Sequence, residues 1–215
     1  MNFPGTVYFE FFCLLVSLTL YLRKGIPLYL KLFPPFLFVT LVVEIIGWKL
    51  AGEEIDASLL YFLFLAVEFV FYFYVLHCII RTAKVKRFIY LMTVIYFALA
   101  LVDIFSFEVK AFPSISYSLG CLLTVGFCIY YFYELFHLPV YGSLLREPAF
   151  WICTALMFFY ICSFPLFGLY KLLYAVSNII MGNIATILIV MNALLYTLFT
   201  TAFLCGIKMK KSIYK

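Results

Sequence analysis

The stretch from Leu59 to Ile80 constrains this chain more than any other. Its 22 residues, LLYFLFLAVEFVFYFYVLHCII, hold only two ionisable side chains, Glu68 and His77. A helix rises about 1.5 Å per residue, so this run covers the roughly 30 Å hydrocarbon core of a bilayer. Four cations follow, Arg81, Lys84, Lys86 and Arg87, and short basic loops stay on the cytoplasmic side. One segment therefore indicates both the solvent and the orientation.

The remaining chain repeats the pattern. Of its 215 residues 67% are hydrophobic and 12% charged, whereas a soluble domain carries about 25% charged residues. Seven spans are expected, near Thr6–Leu22, Ile26–Leu50, Leu59–Ile80, Phe88–Phe105, Ile115–Phe136, Ala149–Leu169 and Ile179–Gly206. Pro34 and Pro35 should kink or split the second, because each removes a backbone donor, and Pro165 should bend the sixth. With the Arg81–Arg87 loop inside, 12 of the 15 cations fall on the inner side, and Lys49, Lys110 and Lys171 on the outer. The expected fold class is all-α: a polytopic membrane protein of seven transmembrane helices, residues 1–215 forming one domain, N-terminus outside and C-terminus in the cytoplasm. The first residues, MNFPGTVYFE, have no basic region and no small-residue cleavage site, so no signal peptide is expected. Seven cysteines lie in apolar runs without a C-x-x-C pair and read as buried free thiols.

Several short patterns carry a resemblance. Glu44-Ile-Ile-Gly-Trp48, Tyr61 with Glu68, Glu147-Pro148 with Phe150-Trp151, and the run from Met191 to Lys208 resemble a group of small uncharacterised multi-pass proteins of Bacteroidota. The resemblance covers nearly the whole chain and implies a seven-helix protein of the bacterial inner membrane. It implies no particular activity. Seven helices are also the architecture of microbial rhodopsins, but no lysine stands between Lys171 and Lys208 to form the Schiff base of a last-helix pigment.

Chemistry has to come from polar residues inside the spans, where a charged side chain costs about 2.5–3.5 kcal/mol on insertion scales. Glu10, Glu44, Glu68 and Asp103 fall in the outer half. Helical rise places Glu44 roughly 9 Å and Glu68 roughly 13–15 Å below their outer ends. An acidic vestibule is one reading, with Glu44, Glu68, Tyr61, Tyr72 and Asn192 as ligand- or ion-binding residues. Tyr61 and Tyr72 share a helix face with Glu68. The plainer reading puts Glu10 and Asp103 in interfacial water, pairs Glu44 with Lys49 or a tyrosine hydroxyl, and makes Asn183 and Asn192 interhelical hydrogen-bond partners. In the inner half, His77, Glu134 and His137 form a weak metal or haem candidate. Glu134 and His137 have the i, i+3 spacing of di-iron helices, present once where such sites need it twice. Glu68 and His77 lie on opposite sides of their helix and cannot share a site.

No H-E-x-x-H, P-loop, nucleophile elbow or glycine-rich dinucleotide loop is present, and no cofactor is implied. Arg81, Lys84, Lys86, Arg87, Lys208, Lys210 and Lys211 read as contacts to anionic lipid or a partner protein, with no nucleic acid expected. The first expectation is a non-enzymatic sensory or assembly subunit working with a membrane or cytosolic partner. A small-solute or cation/proton-coupled transporter using Glu44 and Glu68 is the alternative. A membrane enzyme acting on lipid or quinone through His77, Glu134 and His137 is the third.

Overall fold

The computed structural model describes residues 5–106, 114–137, 144–168 and 178–208. Seven helices among them are long and apolar enough to cross a membrane. They are built on α1 (Gly5–Leu18, extended by a 3₁₀ turn to Leu22), α2 (Phe33–Gly52), α3 (Ser58–Ile79), α4 (Ala83–Ser106), α5 (Ser114–His137), α6 (Pro148–Ser163, extended by a π turn) and α7 (Asn178–Lys208). No strand occurs among the described residues. By the length and apolarity of these helices the chain is a multi-pass membrane protein. Lys110, Lys171, Lys210, Lys211 and Lys215 lie outside the described residues.

Two expected irregularities appear, each with a definite form. The second span is split: a one-turn helix, Leu28–Lys31, precedes α2, and Pro34 and Pro35 occupy the first positions of α2. There their missing N–H groups cost nothing, because first-turn donors have no intrahelical partner. The Tyr21 hydroxyl, at the end of the 3₁₀ turn that continues α1, donates to Lys31 O at 2.9 Å and fixes this break. At Pro165 the sixth span passes from α-helix into a π-helical turn, Phe164–Gly168, the inserted-residue form that a helix takes when its hydrogen-bond ladder is interrupted. One boundary differs. Lys84, Lys86 and Arg87 were expected in a loop but lie in the first turns of α4, because the connection from α3 is only Ile80–Thr82.

Each helix from α1 to α7 packs on the next, α7 closes back onto α1, and α3 also reaches α5. α3 is thereby in contact with α2, α4 and α5. It is apolar all round, and Phe69, Phe73, Val75 and Leu76 on it are wholly buried. Phe69 lies against Tyr96 of α4, Tyr117 of α5 and Tyr160 of α6, at ring-centroid distances of 5.4, 5.9 and 5.0 Å. Gly120 on α5 makes this contact feasible: a Cβ there would sit 2.7 Å from the Phe69 ring. The residues outside this core, such as Phe12, Leu63, Tyr90 and Ile129, are exposed on the bundle surface, where a bilayer's acyl chains would meet them.

Gly120→Ala should lower unfolding stability by about 1–3 kcal/mol, the usual cost of overpacking a well-filled contact. Gly126→Ala, with nothing within 4 Å of the new methyl, should leave it unchanged or raise it by up to about 1 kcal/mol through helix propensity. Thermal melts of the two variants in one detergent check the pair, and equal melting temperatures would show that the Phe69 contact does not limit packing.

Candidate functional site

Three acidic residues from three helices meet in the half of the bundle that contains the start of α1. Glu10 lies on the second turn of α1, Glu44 in the second half of α2 and Glu68 near the middle of α3. The side chains of Glu10 and Glu44, Glu10 and Glu68, and Glu44 and Glu68 all interact electrostatically. No cationic side chain contributes to the field at any of the three among the described residues. Mutual repulsion at low effective dielectric stands against charging all three at once without an offsetting positive charge.

The three differ in how their oxygens are satisfied. Glu68 is the best supported: the Tyr160 hydroxyl donates to its Oε1 at 3.2 Å, and the Tyr72 hydroxyl is also hydrogen-bonded to it. Glu44 is half-buried and has the Tyr61 phenol in its charge field, but neither Lys49 nor a tyrosine hydroxyl is hydrogen-bonded to it among the described residues. Glu10 is buried, at 1% exposure, and no hydrogen-bond partner reaches its Oε1. Tyr196 of α7 completes the surround, in the field of Glu10, Glu44 and Glu68, and Cys13 of α1 hydrogen-bonds Thr200 of α7 just beneath.

Several expectations change here. Glu10 is not in interfacial water: α2 and α7 pack on α1 and enclose the face bearing Val7, Glu10, Cys13 and Leu14, while Tyr8, Phe9, Phe11 and Phe12 point outward. Tyr61, expected beside Glu68, instead lies over Gly47, where a Cβ would collide with its phenol; the missing side chain lets it lie flat on α2. The Asn192 amide is turned back onto its own helix, donating to Leu188 O at 2.9 Å. Asp103 is half-buried and accepts from Ser116 N at 3.2 Å, so it ties the end of α4 to the first turn of α5. A cavity of about 10 Å³, the room of a single water, separates it from Tyr96. All seven cysteines are free, as expected, but Cys162 is exposed and Cys78 and Cys205 are half-buried rather than buried.

At the opposite end the expected metal set is not assembled. Among the described residues no three His, Cys, Asp or Glu side chains come together as metal ligands. Glu134 is engaged elsewhere: its carboxylate accepts from Arg81 N and Thr82 N, each at 2.8 Å, and from the Thr82 hydroxyl at 2.7 Å. Thr82 is the residue from which α4 starts, its carbonyl accepting from Val85 N and Lys86 N. A carboxylate here offsets the unfavourable placing of Lys84, Lys86 and Arg87 at a helix N-terminus. The His137 ring is exposed, tilted at 36° against Tyr133 with ring centroids 4.1 Å apart and Nδ1 2.9 Å from Tyr133 O. His77 is half-buried near the end of α3. Glu147, just before α6, is raised in pKa by burial, opposed by the Arg81 charge.

Tyr160 and Tyr196 are the site residues that sequence reasoning missed. Each is one tyrosine among 18, and the Tyr160–Glu68 contact spans 92 positions. Glu134→Ala should cost about 1–3 kcal/mol, the loss of the hydrogen bonds that Arg81 N and Thr82 donate to a charged acceptor, whereas His77→Ala and His137→Ala should cost far less. Denaturant or thermal melts of the three variants decide it; equal losses would restore a joint role for the trio. No protein-family model, curated protein or solved structure matches this chain.

Proposed function

We propose that this chain is a non-enzymatic membrane protein that takes a cation or proton into an acidic site from the outer side and couples it to solute movement across the bilayer. The observation that carries this reading is Glu10: a buried carboxyl with an unpartnered oxygen, in the field of two further carboxyls and of no cationic side chain among the described residues. Three intramembrane carboxylates cost roughly 8–10 kcal/mol on insertion scales, comparable with the whole net stability of a typical domain. A burden of that size is relieved by protonation or by a bound cation.

The proposed orientation puts the N-terminus outside and the C-terminus in the cytoplasm. Of the ten cations among the described residues, nine belong to the helix ends assigned to the inside and Lys49 alone to the outside, as the positive-inside rule asks. The acidic site then lies in the outer half of the bundle. The bacterial inner membrane is the proposed location, on the resemblance to the Bacteroidota group.

A sensory or assembly subunit is the second reading. It is favoured by the basic inner rim, where Arg81, Lys84, Arg87, Arg146 and Lys208 are exposed and offer a docking surface to an acidic partner or to anionic lipid. The test is flux into proteoliposomes under an imposed pH gradient, with Glu44→Gln and Glu68→Gln as comparisons. The transport reading expects solute or proton flux that falls at least tenfold in both variants, with unchanged helix content. A wild-type protein that moves nothing, yet retains a stoichiometric protein on gentle purification, would transfer the site to the second reading.

A further inference from the structure

The cavity beside Asp103 lies where α3, α4 and α5 pack on one another. Leu65 and Ala66 of α3, Tyr96, Ala100 and Asp103 of α4 and Ser116 of α5 line it. Tyr96, Ala100 and Asp103 stand at i, i+4 and i+7, so a single stripe of α4 runs along the space. Its volume of about 10 Å³ is that of one water.

The polar groups of the lining are incompletely met. Tyr96 is 1% exposed, and no hydrogen bond holds its hydroxyl among the described residues. A buried phenol ordinarily has a partner, and one that lacks a protein partner points to an ordered water. Asp103 has Oδ2 engaged by Ser116 N at 3.2 Å, which leaves the lone pairs of Oδ1 for another donor. A donor side chain and an acceptor side chain therefore border one water-sized space. Water alone among small neutral molecules is both compact enough and able to serve the two at once, and two polar partners are what a buried water requires. Leu65, Ala66 and Ala100 present hydrocarbon on the other sides, a surround that suits a neutral occupant better than an ion.

We propose that this cavity is a binding site for one resident water, which accepts from the Tyr96 hydroxyl and donates to Asp103 Oδ1. The water joins half-buried Asp103, near the end of α4, to a tyrosine whose ring meets Phe69 and Phe73 edge-on at 5.4 and 5.5 Å. A hydrogen-bonded connection thus runs from one end of the bundle to the aromatic core around α3. The inference goes beyond the cation-site reading and stands without it.

Radiolytic hydroxyl-radical labelling of the purified full chain in lipid nanodiscs, read by mass spectrometry, tests it, because radicals formed from a bound water attack the side chains beside it. Phe73, wholly buried and in ring contact with Tyr96, is the control for general opening of the bundle. Tyr96 should oxidise at least about tenfold faster than Phe73, a gap beyond the difference in ring reactivity, if a water is resident. Ala100→Leu, which fills the cavity, should bring the Tyr96 rate down to that of Phe73. Asp103→Leu, at a half-buried position, removes the acceptor and gives the same result if Ala100→Leu does not fold. Equal rates at Tyr96 and Phe73 in the folded wild-type protein, or fast Tyr96 labelling that survives the substitutions, overturn the site. Labelling of Tyr96 that disappears when choline chloride is replaced by NaCl at equal ionic strength also overturns it and assigns the cavity to a cation.

Discussion

Hydrocarbon offers a polar side chain nothing to bond to, and the internal organisation of this bundle follows from that constraint. The hydroxyls meet it locally. Thr40, Thr93, Thr124, Thr154 and Thr200 each donate to the carbonyl four residues back on their own helix, at 2.7–3.0 Å. A carboxylate cannot do this, because it accepts and the local carbonyls also accept. It must reach another helix for a donor. Asp103 reaches the first turn of α5, Glu134 the start of α4, and Glu68 the tyrosines. Half-buried Glu44 accepts from no donor among the described residues, and Glu10, at 1% exposure, reaches none with its Oε1. The functional reading starts from that buried, unmet oxygen, not from the number of acidic residues.

The central helix decides which parts of the site are rigid. Phe69 is locked by three tyrosines and by the close approach of Gly120, and Glu68 is its immediate neighbour on α3. Tyr72, one turn further on, is pinned between Phe36 and Tyr160. Glu68 is therefore held by packing as well as by hydrogen bonds. Glu44 sits on α2 one turn before Gly47, against which Tyr61 packs, and no hydrogen bond holds it among the described residues. One carboxyl is thus fixed and another is not, a division suited to admitting a cation against a preset counter-charge.

The spans, the broken second helix and the pairing of Tyr72 with Glu68 were legible in the sequence because they depend on local facts: apolar run length, proline chemistry and helix spacing. The burial of Glu10 was not. Five residues from the start of α1 it reads as interfacial, and only the packing of α2 and α7 on α1 turns its face inward. Glu134 was misread for a related reason. Its i, i+3 partner His137 is visible in one stretch of sequence, while its real partners, Arg81 and Thr82, lie more than 50 positions away. Tyr160 and Tyr196 were hidden by abundance: aromatic residues populate every span, and α3 is apolar on all sides, so no periodicity marks the face that meets them.

The two interrupted spans are also the ones that bring Glu44 and Tyr160 to the site. The second is divided just before α2, and the sixth enters its π turn one turn after Tyr160. α3, which carries Glu68 and Tyr72, is uninterrupted and enclosed by its neighbours. A helix interrupted by proline or a π turn bends more readily than a continuous one. Any rearrangement that loads or empties the site therefore has its freedom in the second and sixth spans. Those spans carry Glu44 and one of the two hydroxyls on Glu68, while the Tyr72 hydroxyl belongs to α3. Glu68 would then keep at least one donor throughout a cycle, and Glu10, with none, would feel the arrival or departure of a cation most strongly.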